Sequence, residues 1–405
     1  MFTLLRQRNF ALLWFGGLIS IMGDWVLGVA LPFFVYQVSG STIATAVMVA
    51  MELLPRLLFG SIAGVFVDRW DRRKVMVMTS ISQGLVILPL FLVQSGESLW
   101  IVYTVTFIQV TLAMFFGPAE NALLPLLVPE DKLIQANSLN AMNNNFARLI
   151  GPPLGGGVLA LWGLTGVVLV DSISFLIAGL MILGITHSGR AAPPAEAEQK
   201  PEGSSWTRFW KEWKEGMEIV RKDRVVKVLF ITVVMLNFGG VMIDPLGAAY
   251  IVDVVKTSAQ VFGLLVTVQA IGGILGGLLA GKVGDRIPAA RLYGWSEIVL
   301  AVLIAIRYNI PEIPVLFVMT LLVGLPAAMG IAALETLFQR NVPNTHLGRI
   351  SGALNSTVGI TSLFGVLGIS GVLGEVLGIV PVLNIAAGIT MLTGIVVLLF
   401  LPEKA

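Results

Sequence analysis

Apolar residues along this chain gather into long runs divided by short polar breaks. Twelve such runs can be marked, roughly at 10–37, 42–67, 75–95, 100–125, 138–161, 165–187, 226–254, 259–283, 290–308, 314–338, 350–374 and 378–401. A helix rises about 1.5 Å per residue, so a run of about 20 residues spans the hydrocarbon layer of a bilayer. The pattern therefore predicts an all-α integral membrane protein with twelve transmembrane helices. The first run, Phe10 to Tyr36, is too long for the core of a cleaved leader and is expected to remain as the first span.

The polar breaks repeat. Gly64 to Lys74 (GVFVDRWDRRK) returns in weaker form as Gly281 to Arg291 (GKVGDRIPAAR), 217 residues later. Gly64, Asp68, Arg69 and Lys74 fall opposite Gly281, Asp285, Arg286 and Arg291, while Ala289 stands where the first copy has Arg72. Asp24 aligns in outline with Asp244, and Glu52 with Gln269. ENALLPLLVP from Glu120 resembles ETLFQRNVP from Glu335, and each leads to a Leu-Asn pair, Leu139-Asn140 and Leu354-Asn355. Two pseudo-symmetric six-helix bundles are expected, over 1–187 and 226–405, related by an axis along the membrane normal as in carriers with a central cavity.

Residues 188–225 join them. The Ala-, Pro-, Glu- and Ser-rich first part reads as a flexible linker. After it, Trp206, Phe209, Trp210, Trp213, Met217 and Val220 share one helical face, a pattern that suits a helix lying in the inner headgroup layer. Of the 26 Lys and Arg residues, all but Arg56, Arg148, Lys256 and Arg307 fall in the termini and alternate loops on one side. Short cytoplasmic loops collect these residues. The chain is therefore placed in the cytoplasmic membrane with both termini inside.

Composition narrows the chemistry. The chain is 56% apolar and only 12% charged, with mean hydropathy +0.88 and a net charge of +2, which gives no surface for nucleic acid. It has no cysteine, and its two histidines, His187 and His346, fall at loop positions, so no metal centre or cofactor is expected. Gly276-x-x-x-x-Gly281-Lys282 approaches a phosphate loop, but Val283 replaces the required hydroxyl and no strand precedes it. No enzymatic activity is expected.

Charges at mid-depth are the sharpest candidates, since a central Asp, Lys or Arg costs about 2.5 to 3.5 kcal/mol on insertion scales. Asp24, Glu52 and Asp244 are candidates for proton coupling, Asp24 foremost. Arg56, one helical turn beyond Glu52, and Arg148 are candidate charge partners. Asp171 reads as structural and near the outer face; Glu120 and Glu335 could gate; Glu297 and Arg307 receive no role. Asn143 and Asn144, with Asn145, form a polar run of which at least one should line a cavity or bond a neighbouring helix. Asn237 and Phe34 could touch an amphipathic solute. Gly60 and Gly64, and likewise Gly273, Gly277 and Gly281, are spaced to let a neighbouring helix approach.

Gly64-x-x-x-Asp68-Arg69-x-x-Arg72-Arg73 resembles the loop signature between spans two and three of the major facilitator superfamily. Gly151-Pro152-x-x-Gly155-Gly156 resembles the core of the antiporter signature in that superfamily's drug:proton exporters, with Ala147 where the fuller pattern has glycine. LLRQRNFALLW, GDW and ELLPRLL are most similar to its macrolide-efflux and enterobactin-exporter-like branch. The resemblance implies that the first loop contacts span eleven and stabilises an outward-open state. A helix N-terminus there would favour the Asp68 carboxylate by about 0.3 to 1 kcal/mol. Together these readings predict a monomeric secondary exporter of amphipathic small molecules, exchanging them for protons among membrane lipids. A lipid or lysolipid flippase is the alternative within carriers, and a non-transporting sensor or scaffold the alternative outside them.

Overall fold

The computed structural model describes residues 2–60, 67, 70–187, 189, 205–342 and 344–402, with side chains left out for residues 2, 205–212 and 344–347. Every regular element among the described residues is helical. The helices are α1 (Arg8–Ser39), α2 (Thr42–Phe59), α3 (Arg72–Val86) and α4 (Leu99–Leu127), then a continuous run Leu133–Leu183. That run breaks at Gly163, whose φ of 63° and ψ of −165° suit glycine alone, and so gives α5 (133–162) and α6 (164–183). There follow α7 (Ser205–Lys222), α8 (Arg224–Ala249), α9 (Ala259–Val283), α10 (Ala289–Asn309) and α11 (Ile313–Asn341). Next come α12 (Asn344–Phe364), continued by the π-helical Gly365–Leu373 and a turn Gly374–Leu377, and finally α13 (Ile379–Phe400).

Among the described residues, eleven helical segments are long and apolar enough to cross a membrane, and the longest of them, Glu130–Leu183, holds both α5 and α6. Each of the twelve expected spans therefore has a helix among the described residues, the second of them followed as far as Phe59. Their ends follow local chemistry. Gly40, left-handed at φ 61°, closes α1 by returning its N–H to Tyr36 O. Asp71 caps α3 by accepting from the Lys74 N–H, and Asp223 caps α8 by accepting from those of Val225 and Val226 at 2.8 and 3.0 Å.

By contact the chain divides into two units. The first holds Met1–Gly40, Val47–Ala197 and Thr257–Thr267; the second holds Ser41–Ala46, Glu198–Lys256 and Val268–Ala405. The first turn of α2 thus belongs with the second unit, and the first turns of α9 with the first. Phe10, Leu13 and Trp14 of α1 anchor the first core against Ala119, Leu123, Leu139 and Ile182. Leu229, Tyr293, Leu337 and Val397 anchor the second.

Two expectations change here. The described part of α7 does not turn its apolar face to lipid: Trp213, Met217 and Val220 join a core with Val226, Phe230, Ile350 and Ala353. A Cβ on Gly216 would lie 2.5 Å from Arg349 O, so α7 meets α12 almost backbone to backbone. Trp206, Phe209 and Trp210 lie outside the described side chains. On α9, the close approach belongs to Gly272 and Gly276, where any Cβ would strike Leu321 O and Leu325 O of α11. Gly273, Gly277 and Gly281 face open space instead, because they sit one residue round the helix from the contact row.

Candidate functional site

Asp24 stands near the middle of α1, in a turn gripped from two sides. On one side, a Cβ on Gly155 of α5 would lie 2.6 Å from Val26 O, and one on Gly151 would overlap Trp25. On the other side, a Cβ on Gly23 would overlap Ser174 Oγ of α6 and lie 2.5 Å from Asp171 Oδ1. The glycines of the α5 motif therefore pack directly around Asp24. Gly156 faces a third element, meeting the backbone at Ala259, while Gly263 meets Pro152 O. Thr267 Oγ1 donates to Leu149 O at 2.9 Å and closes this side of the first unit.

The carboxyl groups around that turn differ. Asp24 is exposed and makes no hydrogen bond or ion pair with another described residue. Asp171 is fully buried; Ser174 Oγ donates to its backbone oxygen at 2.8 Å and lies 3.5 Å from Oδ1, while Oδ2 has no hydrogen-bond partner among the described residues. Its place beside Gly23 puts Asp171 at the level of Asp24 rather than near the end of its span. Helix period alone could not find this, because the depth of Asp171 depends on which residues of α1 pack against α6.

Below this turn, the first unit holds a polar clasp. Trp14 Nε1 donates to Leu139 O at 2.9 Å, and Asn143 Nδ2 donates to Trp14 O at 2.9 Å. Asn140 Nδ2 donates to Glu120 Oε1 at 3.3 Å. Asn143 is 3% exposed, so it joins α5 to α1; Asn144 and Asn145 are the exposed members of the run, their amides donating to Asn140 O and Ala141 O of their own helix. Glu52 is half-buried on α2, and both Arg56 and Arg148 are exposed. Phe34 is half-buried.

In the second unit, Asp244 is exposed on α8 just before Pro245. Ser370 Oγ, in the π-helical segment after α12, donates to Met242 O at 2.9 Å, and a Cβ on Gly365 would lie 3.1 Å from the Phe238 ring. Asn237 Nδ2 donates to Val233 O of its own helix. Glu297, unassigned by sequence, is 1% exposed, lies against Gly330 of α11, and leaves Oε2 without a hydrogen-bond partner among the described residues. Arg307 rests over the Tyr308 ring, 5.0 Å from its centroid. A further carboxylate went unnoticed in the sequence: Glu375 accepts from Ser41 Oγ at 2.8 Å and from Thr42 Oγ1 and N at 3.1 and 3.3 Å.

Of the first charged break, Gly64, Asp68 and Arg69 lie outside the described residues. Arg73 is placed: its guanidinium donates to Ile182 O at 3.3 Å and also to Leu183 O, tying α3 to the end of α6. Arg72 is half-buried, with its backbone N–H on Gly189 O. In the second copy, Gly281, Asp285 and Arg286 line a cavity of 730 Å³.

Paired, glycine-gripped first spans and two charged loops fit a carrier, and sequence comparison fixes which. The family described as transmembrane secretion effector matches residues 1–404. The chain belongs to that family, within the major facilitator superfamily. It is a multi-pass membrane transporter. It is 23% identical to macrolide efflux protein A of Streptococcus pyogenes over 89% of this chain and 88% of that one. It is 25% identical to the staphyloferrin A transporter of Staphylococcus aureus over 84% of each. The fold matches that of a bacterial homologue of the iron transporter ferroportin, with a TM-score of 0.73, 17% identity and coverage of 97% and 98%.

Proposed function

We propose that this transporter exports amphipathic small molecules across the cytoplasmic membrane in exchange for protons, and that Asp24 carries the proton. The observation that carries the reading is the turn around Asp24. A structural aspartate at mid-span would be expected to repay its insertion cost with hydrogen bonds. Here the turn is fixed by close contacts at Gly23, Gly151 and Gly155, while Asp24 stays exposed and without a hydrogen bond to another described residue. A fixed turn with a free carboxyl suits a group that must alternate between proton and cargo.

Asp171 is the buried neighbour through which the proton state of Asp24 is felt by α6. Glu52 and Asp244 are the secondary candidates for proton coupling, Arg56 and Arg148 the candidate charge partners, and Asn144, Asn237 and Phe34 the candidates for solute contact. The relatives named for macrolide efflux and for staphyloferrin A transport support export of a sizeable solute. One proton entering gains about 2.3 kcal/mol per 100 mV of membrane potential, beyond the pH term, which suffices for modest concentrative export.

The test uses the full chain in proteoliposomes with an imposed pH gradient and a labelled macrolide as probe. Uptake should rise with an acidic lumen and collapse on addition of a protonophore. Macrolide movement indifferent to the gradient would refute proton coupling while leaving the carrier assignment in place.

A further inference from the structure

The two glycine rows of α9 have different tasks. Gly272 and Gly276 meet α11, whereas a Cβ on Gly277 or Gly281 would meet nothing within 4 Å. Helix packing therefore does not require glycine at Gly277 and Gly281, and both line the 730 Å³ cavity between the ends of α9, α10 and α11. Their missing side chains keep its wall open.

The chemistry of the lining is cationic. Arg286 enters from the loop after α9 and Arg340 from the last turns of α11, with Asp285 as the one acidic residue in the lining. Neither guanidinium forms an ion pair or hydrogen bond with another described residue. Thr336 Oγ1 already donates to Ala332 O at 2.8 Å, so the arginines are the free side-chain donors there. A guanidinium presents paired N–H groups that match phosphate oxygens. Position decides the kind of phosphate. The cavity lies where three spans end, at headgroup depth, and the exposed apolar side chains Ile287, in the lining, and Leu278, next to Gly277, offer surface for acyl chains.

We propose that this cavity binds the phosphate of an anionic phospholipid headgroup, clamped between Arg286 and Arg340 over the open glycine wall of α9. The inference does not depend on proton coupling or on the cargo.

The purified full chain, stripped of lipid in detergent, would be offered phosphatidylglycerol, phosphatidylcholine or inorganic phosphate, with retained lipid measured by mass spectrometry and stability by thermal unfolding. Phosphatidylglycerol should be retained and raise the unfolding midpoint, and phosphatidylcholine should do neither. R286Q/R340Q should weaken retention about tenfold or more, in keeping with loss of two charge-assisted clamps. Gly281→Leu should weaken it with every charge intact, whereas K282Q, which removes a charge from the last turn of α9 outside the lining, should retain it. Protection by inorganic phosphate alone, lost in the same variants, would replace the lipid with a free anion. Retention of phosphatidylglycerol unchanged in both R286Q/R340Q and Gly281→Leu would overturn the site, with elution volume and helix content reporting that each variant is folded.

Discussion

Around Asp24, α1 is held by Gly151 and Gly155 of α5 and by Ser174 and Asp171 of α6. Around Asp244, α8 is held by Gly365 and Ser370 of the π-helical continuation of α12, and at Gly239 by Thr390 of α13, whose hydroxyl would lie 3.5 Å from an added Cβ. The same three-helix arrangement recurs, so glycine packing against the first helix of each half is common to both. The chemistry is not common. A buried carboxylate stands beside the turn in the first unit, where the second supplies two neutral hydroxyls. The polar clasp shows the same contrast: Glu120 accepts from Asn140, while their counterparts Glu335 and Asn355 are both exposed. Duplicated packing with unequal charge points to a division of labour, with proton chemistry concentrated in the first unit and a cation-lined cavity in the second.

The largest expected break in that comparison is Asp24→Asn against Asp244→Asn. The first should abolish gradient-driven export; the second should reduce it by no more than about tenfold, a change near 1.4 kcal/mol. Transport rates in proteoliposomes at matched protein content decide between them, and equal losses would dissolve the division.

Packing comes next. Gly155→Ala forces a Cβ against Val26 O and should cost about 1 to 3 kcal/mol of stability. Gly365→Ala meets side chains alone, the Phe238 ring at 3.1 Å and Val241 Cγ2 at 3.3 Å, and the gain in helix propensity of up to about 1 kcal/mol should offset most of the strain. Thermal unfolding of the two variants would rank them, and a larger loss for Gly365→Ala would contradict the packing account.

The charged breaks offer a third contrast. Asp68→Asn should impair transport more than Asp285→Asn at equal expression, because Ala289 stands opposite Arg72 and the second copy lacks that cation. Equal defects would make the two loops equivalent.

Smallest of all is Glu215→Gln. Glu215 pairs with Arg349 at 3.4 Å, but the two side chains are 37% and 53% exposed, so the loss should stay below about 1 kcal/mol. Backbone contact at Gly216 and the Met217–Val220 face would still hold α7; a large loss would mean that the ion pair, not the packing, seats it.

Much of the fold was legible because a bilayer imposes one length and one polarity on every span. Among the described residues the apolar runs became helices and the break at LWGLTG a sharp turn, at the expected places. Helix rotation was less legible. Gly273, Gly277 and Gly281 have the spacing of a packing face, yet Gly272 and Gly276 bear the contact, since a spacing of four marks a row but not the direction it faces. Asp171 shows the same limit: its depth follows from the placement of α6 beside Gly23, a distance of more than a hundred residues in sequence. Glu375 was passed over because an acidic residue at a span end looks like an ordinary loop charge until its partners, Ser41 and Thr42, are brought to it by the fold. Asn143 was readable only in part, since an asparagine that clasps a helix backbone and one that faces a solute have the same residue type.

The central claim is that Asp24 exchanges a proton for cargo, and the most direct measurement is proton release on cargo binding. The purified protein in weakly buffered detergent, mixed with a macrolide, should acidify the medium in proportion to bound drug. Asp24→Asn should bind the drug and release nothing. Release from Asp24→Asn equal to that of the unaltered protein would contradict the account.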